Sequence, residues 1–303
     1  MNRFGRSWLL FRSSLLVIVR NKELLVFPIF ISIATAVILL FFLAPAALWR
    51  TGHSCLSAAH WQALWGVFFE KTNAGSHQTA YSPLGIAYLV FLYFVSMFVA
   101  TFFNVAFYNE ILAALGGQPV SLSRGLQFAC SRWKAILLWA LFAGLIGLII
   151  KVIEQRFEIV GKIIARLIGI AWSIAAVFAI PVIVRDESTA NPIAILKKSA
   201  QTLTRAWGEG LIGYIGLGAV NFLVVLASVA VIVAVSVVSA QLHSFWLLGC
   251  AIAVCIAFFI VWAYLMNVAS LVYKGALYLY AAEGTVIEPY NQQMLDSAWK
   301  FRK

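Results

Sequence analysis

Charge is what this chain has least of. Only 11% of its residues are Asp, Glu, Lys or Arg, where soluble domains carry about a quarter. That deficit excludes an ordinary water-soluble enzyme or binding module. The shortage is sharper on the acidic side, with 11 carboxylates against 22 Lys and Arg. None of the carboxylates falls in the middle of an apolar run; Glu110 comes nearest, close to the end of its run. A charge held at mid-membrane is the usual mark of an ion or proton path, so its lack argues against a proton-coupled pump. Cysteine is scarce as well, at four. Cys55 stands alone in a polar loop, Cys130 borders an amphipathic segment, and Cys250 and Cys255 sit inside an apolar run, so no disulfide framework follows. There is no phosphate-cradling glycine loop with a lysine, no HExxH and no nucleophile elbow. Neither catalysis nor a cofactor is expected. The histidines His53, His60, His77 and His243 fall in segments of one side, and His53-x-Cys55-x4-His60 matches no ligand spacing, so no metal is expected either.

What fills the chain instead is hydrocarbon. Hydrophobic residues make up 63% of it. Crossing roughly 30 Å of bilayer core takes about 20 helical residues. Six stretches are long and apolar enough, near 24–48, 84–107, 135–150, 163–184, 211–238 and 245–272. The third is short and relies on Lys134 and Lys151 snorkelling from its ends. The expected fold is all-α: a polytopic bundle of six transmembrane helices with three amphipathic interfacial helices. Ala44-Pro45-Ala46 fits a signal-peptidase pattern, but some 23 residues with their own pattern precede the apolar core, so the first span is expected to be retained.

Orientation follows from the cations. With both termini in the cytoplasm, sixteen Lys and Arg lie inside and six outside (Arg50, Lys71, Lys151, Arg156, Lys162 and Arg166). The net charge of +11 flanks membrane spans and has no soluble domain to carry it. It is therefore read as contact with anionic lipid headgroups rather than nucleic acid.

One stretch sets the pattern, Ala171 to Gly218. An apolar run ends at Arg185-Asp186-Glu187, and Asn191-Pro192 reads as an N-cap followed by proline at the first helical position. Pro192, Leu196, Ala200, Leu203 and Trp207 then recur at helical spacing, opposite Lys197, Lys198, Gln201 and Arg205. The same pattern appears at 3–20, where Phe4, Trp8, Phe11, Leu15 and Ile18 are flanked by Arg3, Arg6, Arg12 and Arg20. It appears again from Ser121, where Leu122, Leu126, Ala129 and Trp133 oppose Arg124, Gln127 and Ser131. The first of these segments reads either as an in-plane membrane helix or as an extension packed on neighbouring helices. Each is followed by a two-span hairpin entered from the same side, so units at 3–110, 121–184 and 192–272 form a three-fold parallel repeat in one integral domain. Arg3, Arg6, Arg12, Arg124, Lys197, Lys198 and Arg205 are the expected headgroup contacts, unless they pair with Asp186, Glu187 and Glu209. Residues 274–303 read as a cytosolic tail.

Within the spans, small residues recur: Ala140 with Gly144, Ala143 with Gly147, and Gly208, Gly210, Gly213, Gly216 and Gly218. In lipid, close backbone approach through such residues holds helices together. The intramembrane amides Asn104, Asn221 and Asn267 read either as interhelical glue, Asn104 pairing with Asn267 at similar depth, or as the lining of a solute path. Outside, 50–83 is the one sizeable loop, with an aromatic-rich helix expected over 56–69 and a small polar stretch at 72–78.

FFNVAFYNEILAALGGQP, SRGLQFACSRWKAILLWA, IGIAWSIAAVFAIPVIV, AILKKSAQTLTRAWGEGLIG and KGALYLYAAEGTV resemble a family of bacterial six-span membrane proteins known only as a domain of unknown function. The architecture is also similar to the membrane domain attached to some glycerophosphodiester phosphodiesterases. The soluble domain that would carry that activity has no counterpart here, so the resemblance implies the fold and a bacterial inner membrane, and no reaction. Two functions stay open: a non-enzymatic scaffold or lipid-organising bundle, alone or with another copy or membrane protein, and a channel or transporter for a small solute.

Overall fold

A computed structural model describes residues 3–71, 79–205, 209–241 and 245–290. The chain is all-α. Six segments are long and apolar enough to cross a membrane: Lys22–Pro45, Pro83–Leu115, Trp133–Arg156, Gly161–Arg185, Val224–Gln241 and Leu248–Glu283. In chain order, α1 spans Arg3–Arg20, a 3-10 turn covers Lys22–Leu25, and α2 runs Val26–Ala47. After α3 (Ala58–Phe68), strand β1 (Phe69–Lys71) pairs antiparallel with β2 (Thr79–Tyr81). Then come α4 (Pro83–Leu115), α5 (Leu122–Ser131), α6 (Trp133–Arg156) and α7 (Glu158–Ala175). The chain closes with α8 (Ala179–Arg185), α9 (Pro192–Arg205), α10 (Glu209–Gln241) and α11 (Phe245–Glu283).

Local chemistry sets several boundaries. Ser82 caps α4, its Oγ accepting from Gly85 N–H at 3.0 Å while donating to the Val67 carbonyl at 2.7 Å, and Pro83 takes the first helical position. Ser121 caps α5 by accepting from Arg124 N–H, and Asn191 Oδ1 accepts from Ile193 N–H at 2.9 Å where α9 begins. Past the end of α4 the chain turns through Gly117, whose φ of +75° suits glycine and few other residues. The α6–α7 corner consumes one residue, Phe157. Gly161 makes that corner feasible: a Cβ there would lie 2.4 Å from Phe157 Cβ and 2.7 Å from the Ile153 carbonyl. The stretch 151–162, expected as a charged outer segment, is thus helix on both sides of a corner.

Two helices overrun their expected spans. At 33 residues, α4 is about 50 Å long, well beyond the bilayer core, and it continues past Phe107 to Leu115. Helix α11 has 39 residues and continues past Lys274 to Glu283, through what reads in sequence as the start of a tail. The overruns build the protein's interior. Buried residues concentrate in α1, the second half of α4, α5, the start of α6, α8, α9 and the second half of α11. Phe27, Phe107, Ile111, Ile136, Phe178, Ile183, Ile195, Tyr273 and Leu279 are all at most 2% exposed. This is one core, at one end of the spans; the opposite end carries α3 and the β-ribbon.

Through the hydrocarbon the helices are bare by comparison. Leu40, Phe41, Leu167, Val254 and Ile260 are each more than 60% exposed. Small residues close one contact there: Tyr93 donates to the Gly144 carbonyl at 3.1 Å, and a Cβ on Gly144 would come within 2.9 Å of Phe94. On Gly147 it would meet Tyr93 Oη at 2.7 Å. Trp139 of α6 stacks on Trp172 of α7, centroids 5.9 Å apart. The side chains around Gly208–Gly218 lie outside the described residues.

Helix α1 does not lie on lipid with its apolar stripe. It packs against α10, α11 and the 3-10 turn. Phe11 is 2% exposed and meets the Trp262 ring at 5.7 Å. Ser14, fully buried, shares a 2.8 Å hydrogen bond with the Tyr290 hydroxyl. Of the two readings the sequence leaves for this segment, packing on neighbouring helices is the observed one.

Candidate membrane-interface site

The polar residues that converge do so around the turn at 185–189, between α8 and α9. Arg132, at the step between α5 and α6, donates from Nη1 to the Glu187 carbonyl at 2.6 Å. Its Nη2 donates to the carbonyls of Asp186 at 2.6 Å and Thr189 at 3.2 Å. A guanidinium suits three carbonyls because its donors sit in a rigid planar fork. Asp186 in turn accepts from Ser188 Oγ at 2.6 Å and from Lys198 Nζ of α9 at 2.9 Å. Ser188 first, then Lys198, holds the Asp186 carboxyl below its usual range. Arg185 reaches Glu283 at the end of α11, Nε to Oε1 at 3.1 Å. Four elements are therefore tied to one five-residue turn.

A second tie joins α4 to α5. Glu110, fully buried, accepts from Arg124 Nε at 3.0 Å and Nη2 at 2.6 Å, from Ser121 N–H at 2.7 Å and from Asn109 Nδ2 at 3.0 Å. Each carboxylate oxygen accepts two hydrogen bonds, which is what allows a full charge inside the core. Gly125 lets the helices close over this pair, since a Cβ there would sit 2.8 Å from the Ala106 carbonyl.

These ties divide the expected headgroup residues. Arg124 belongs to Glu110 and Lys198 to Asp186, the intramolecular pairing that competes with lipid for these charges. Arg12, Lys197 and Arg205 are exposed on the core end, as is Lys134, whose Nζ stands 5.8 Å over the ring of the exposed Trp133. The side chains of Arg3 and Arg6 lie outside the described residues. On α9 the buried face is Ile195, Ser199 and Thr202, rotated from the expected stripe, and Leu196 and Leu203 pack at the core's edge. On α5, Gly125 and Ala129 are buried while Trp133 is 49% exposed.

Neither of the two described intramembrane amides bridges helices, one of the two readings the sequence leaves open. Asn104 is exposed and donates to the Ala100 carbonyl of its own helix at 2.9 Å, not to Asn267, which is exposed on α11. The Asn221 side chain lies outside the described residues. Ser96, Thr101, Ser173, Ser228, Ser236 and Ser270 likewise donate to carbonyls three or four residues back. Such local bonds satisfy a hydroxyl in lipid without any partner helix. At the far end His60 is buried, its Nε2 donating to the Ala47 carbonyl at 2.7 Å and its Nδ1 accepting from Thr51 at 2.6 Å. Both ring nitrogens are thereby used to close the loop after α2. His53 and Cys55 are exposed, and His77 and His243 lie outside the described residues.

Sequence reasoning missed Arg132 as anything but a cytoplasmic charge, and missed Ser199 altogether. Position offered one signal: Arg132 stands between two helices with no carboxylate in helical reach. The matched region includes all of these ties. A family model matches residues 84–287, well over half of the chain, and describes a family of unknown function, DUF6159. The chain belongs to DUF6159. No curated protein and no solved structure matches it. The match begins at α4 and ends three residues before Tyr290, so the Glu110–Arg124 pair and the 185–189 turn lie within the matched region, while α1, α2 and the ribbon lie outside it.

Proposed function

We propose that this DUF6159 protein is a non-enzymatic scaffold of a bacterial inner membrane, with its core end and both termini on the cytoplasmic side. In this reading the core end recruits anionic lipid headgroups. The observation that carries it is the split between a dense core at one end of six spans and apolar helix faces left uncovered along the hydrocarbon. Such faces meet lipid, and a core placed at the headgroup level holds its exposed cations where anionic phosphates lie. The favoured contacts are Arg12, Lys134, Lys197 and Arg205, because Arg124 and Lys198 already have carboxylates. Each exposed cation contributes about 1 kcal/mol near an anionic surface, falling off within about 8 to 10 Å. A solute path is the competing reading. The local hydrogen bonds of the span hydroxyls and of Asn104 favour the scaffold, since a path would turn those groups toward a shared lumen.

Native mass spectrometry tests the headgroup role. Replacing Arg12, Lys197 and Arg205 together by Gln should reduce co-purified phosphatidylglycerol or cardiolipin, while Lys198→Gln alone leaves lipid content near the wild type. Equal lipid retention in the triple variant and the wild type removes the headgroup role. Solute flux in proteoliposomes would favour the channel instead.

A further inference from the structure

Span four is interrupted midway, and the interruption is served from outside. Between α7 and α8, the Ala176 N–H still reaches the Trp172 carbonyl at 2.9 Å, but Val177 N–H turns to Ile174 at 3.3 Å and Ala179 N–H to Ala176 at 3.0 Å. The regular ladder resumes with Val182 N–H on the Phe178 carbonyl at 2.9 Å. Among the groups this leaves without a partner in the span are the Phe178 N–H and the Ala175 carbonyl. One hydroxyl takes both. Ser199 of α9, fully buried, accepts from Phe178 N–H at 3.0 Å and donates to the Ala175 carbonyl at 2.6 Å.

An alternative pairing is available within the span itself. In a continuous helix Phe178 N–H would bond the Ile174 carbonyl and Ala179 N–H the Ala175 carbonyl. The Val177 carbonyl would go without, because Pro181 has no N–H and its ring crowds that carbonyl, so this form keeps a mild proline kink of the kind that membrane helices accommodate by local adjustments. Bent and straight forms thus exchange hydrogen bonds almost one for one, the condition for a bistable element. The two sides of the break are anchored differently. On one side Trp172 stacks on Trp139 of α6; on the other, Phe178 packs against the Tyr278 ring of α11 at 5.7 Å, with Val182 and Ile183 fully buried.

We propose that 176–178 is a two-state hinge in span four and that Ser199 is the clasp holding its bent state. Helix α9 leads into α10, so displacement of α9 withdraws the hydroxyl and lets the span straighten. The clasp adds a moving part to the scaffold and does not depend on its binding lipid.

Distance measurements between spin labels test it in liposomes. The labels go on Lys162 of α7 and Lys197 of α9, both exposed, in the full chain with its four cysteines replaced by alanine. A kink exceeding 20° over the roughly 21 Å from 162 to 176 moves the label by about 7 Å. Ser199→Ala, which removes the clasp, and Pro181→Ala, which supplies the missing N–H, should each shift the main distance by that amount or add a second population there. Should Ser199→Ala fail to fold, Pro181→Ala still reads the hinge. Unchanged distances in every variant that folds make the break a fixed bend and overturn the proposal. A shift with Pro181→Ala but none with a folded Ser199→Ala removes Ser199 as the clasp.

Discussion

A buried carboxylate and a half-exposed arginine are unequal partners, and the Glu110–Arg124 pair shows the consequence. Glu110 is fully buried, whereas the Arg124 side chain is 39% exposed. Arg124→Ala would strand a charge in the core, at a cost of about 3 to 5 kcal/mol. Glu110→Gln leaves Arg124 free to turn to water and costs less, about 1 to 3 kcal/mol for the weakened acceptor. Thermal midpoints in detergent should therefore fall further for Arg124→Ala than for Glu110→Gln; the reverse order would mean that Glu110 is not charged in the fold. Asp186 makes a pH prediction. Its folded pKa is depressed, so its contribution is present above the unfolded value, near 3.8, and lost as pH falls through the lower folded one. The stability gap between wild type and Asp186→Asn should hold from pH 7 to 5 and close only below about pH 4. From sequence, Glu110 reads as a marker of the membrane exit. The helix does not end with it: four hydrogen bonds hold the Glu110 carboxylate inside the fold while α4 runs five residues further, to Leu115. Hydropathy weighs a residue's transfer from water and is blind to the partner that offsets it.

Helices are where the sequence speaks clearly about shape and poorly about surroundings. The six spans emerge from apolar length alone, because satisfying the backbone in hydrocarbon leaves the helix as the ready solution. The caps at Ser121 and Asn191 are equally readable, being local chemistry. What covers a helix's apolar face is not local. Periodicity gives α1 one apolar side, yet nothing in its spacing distinguishes lipid from Trp262 and Tyr290. For α9 the polar Ser199 hides the true buried face, since a hydroxyl serving another helix's backbone looks like a water-facing residue. Close helix contact gives a test here. Gly125→Ala places a Cβ against the Ala106 backbone carbonyl and should push α5 from α4, costing about 1 to 3 kcal/mol. Hydrogen exchange should then rise across 121–131; unaltered protection would show that α5 is not held through this contact.

For the molecule as a whole, orientation is the property most open to a simple check. Native Cys55 is exposed at the ribbon end and Cys130 at the core end. A membrane-impermeant maleimide should label Cys55 in intact cells and Cys130 only after permeabilisation; the opposite order would invert the proposed topology. Thiols inside the hydrocarbon, Cys250 and Cys255, should react slowly from either side, because a membrane-impermeant reagent does not enter the apolar layer.

The core end also dictates a timetable. A buried hydrogen bond there joins Ser14 to Tyr290, 276 residues apart, so the ribosome delivers one partner well before the other. Every span can enter the bilayer as it emerges, since its own backbone bonds suffice. The keystone cannot be set until the last of them has arrived. Until Tyr290 has emerged the spans already made are a string of inserted hairpins with an unsealed hub, and the joining of α1 to α11 and Tyr290 is the step that seals it.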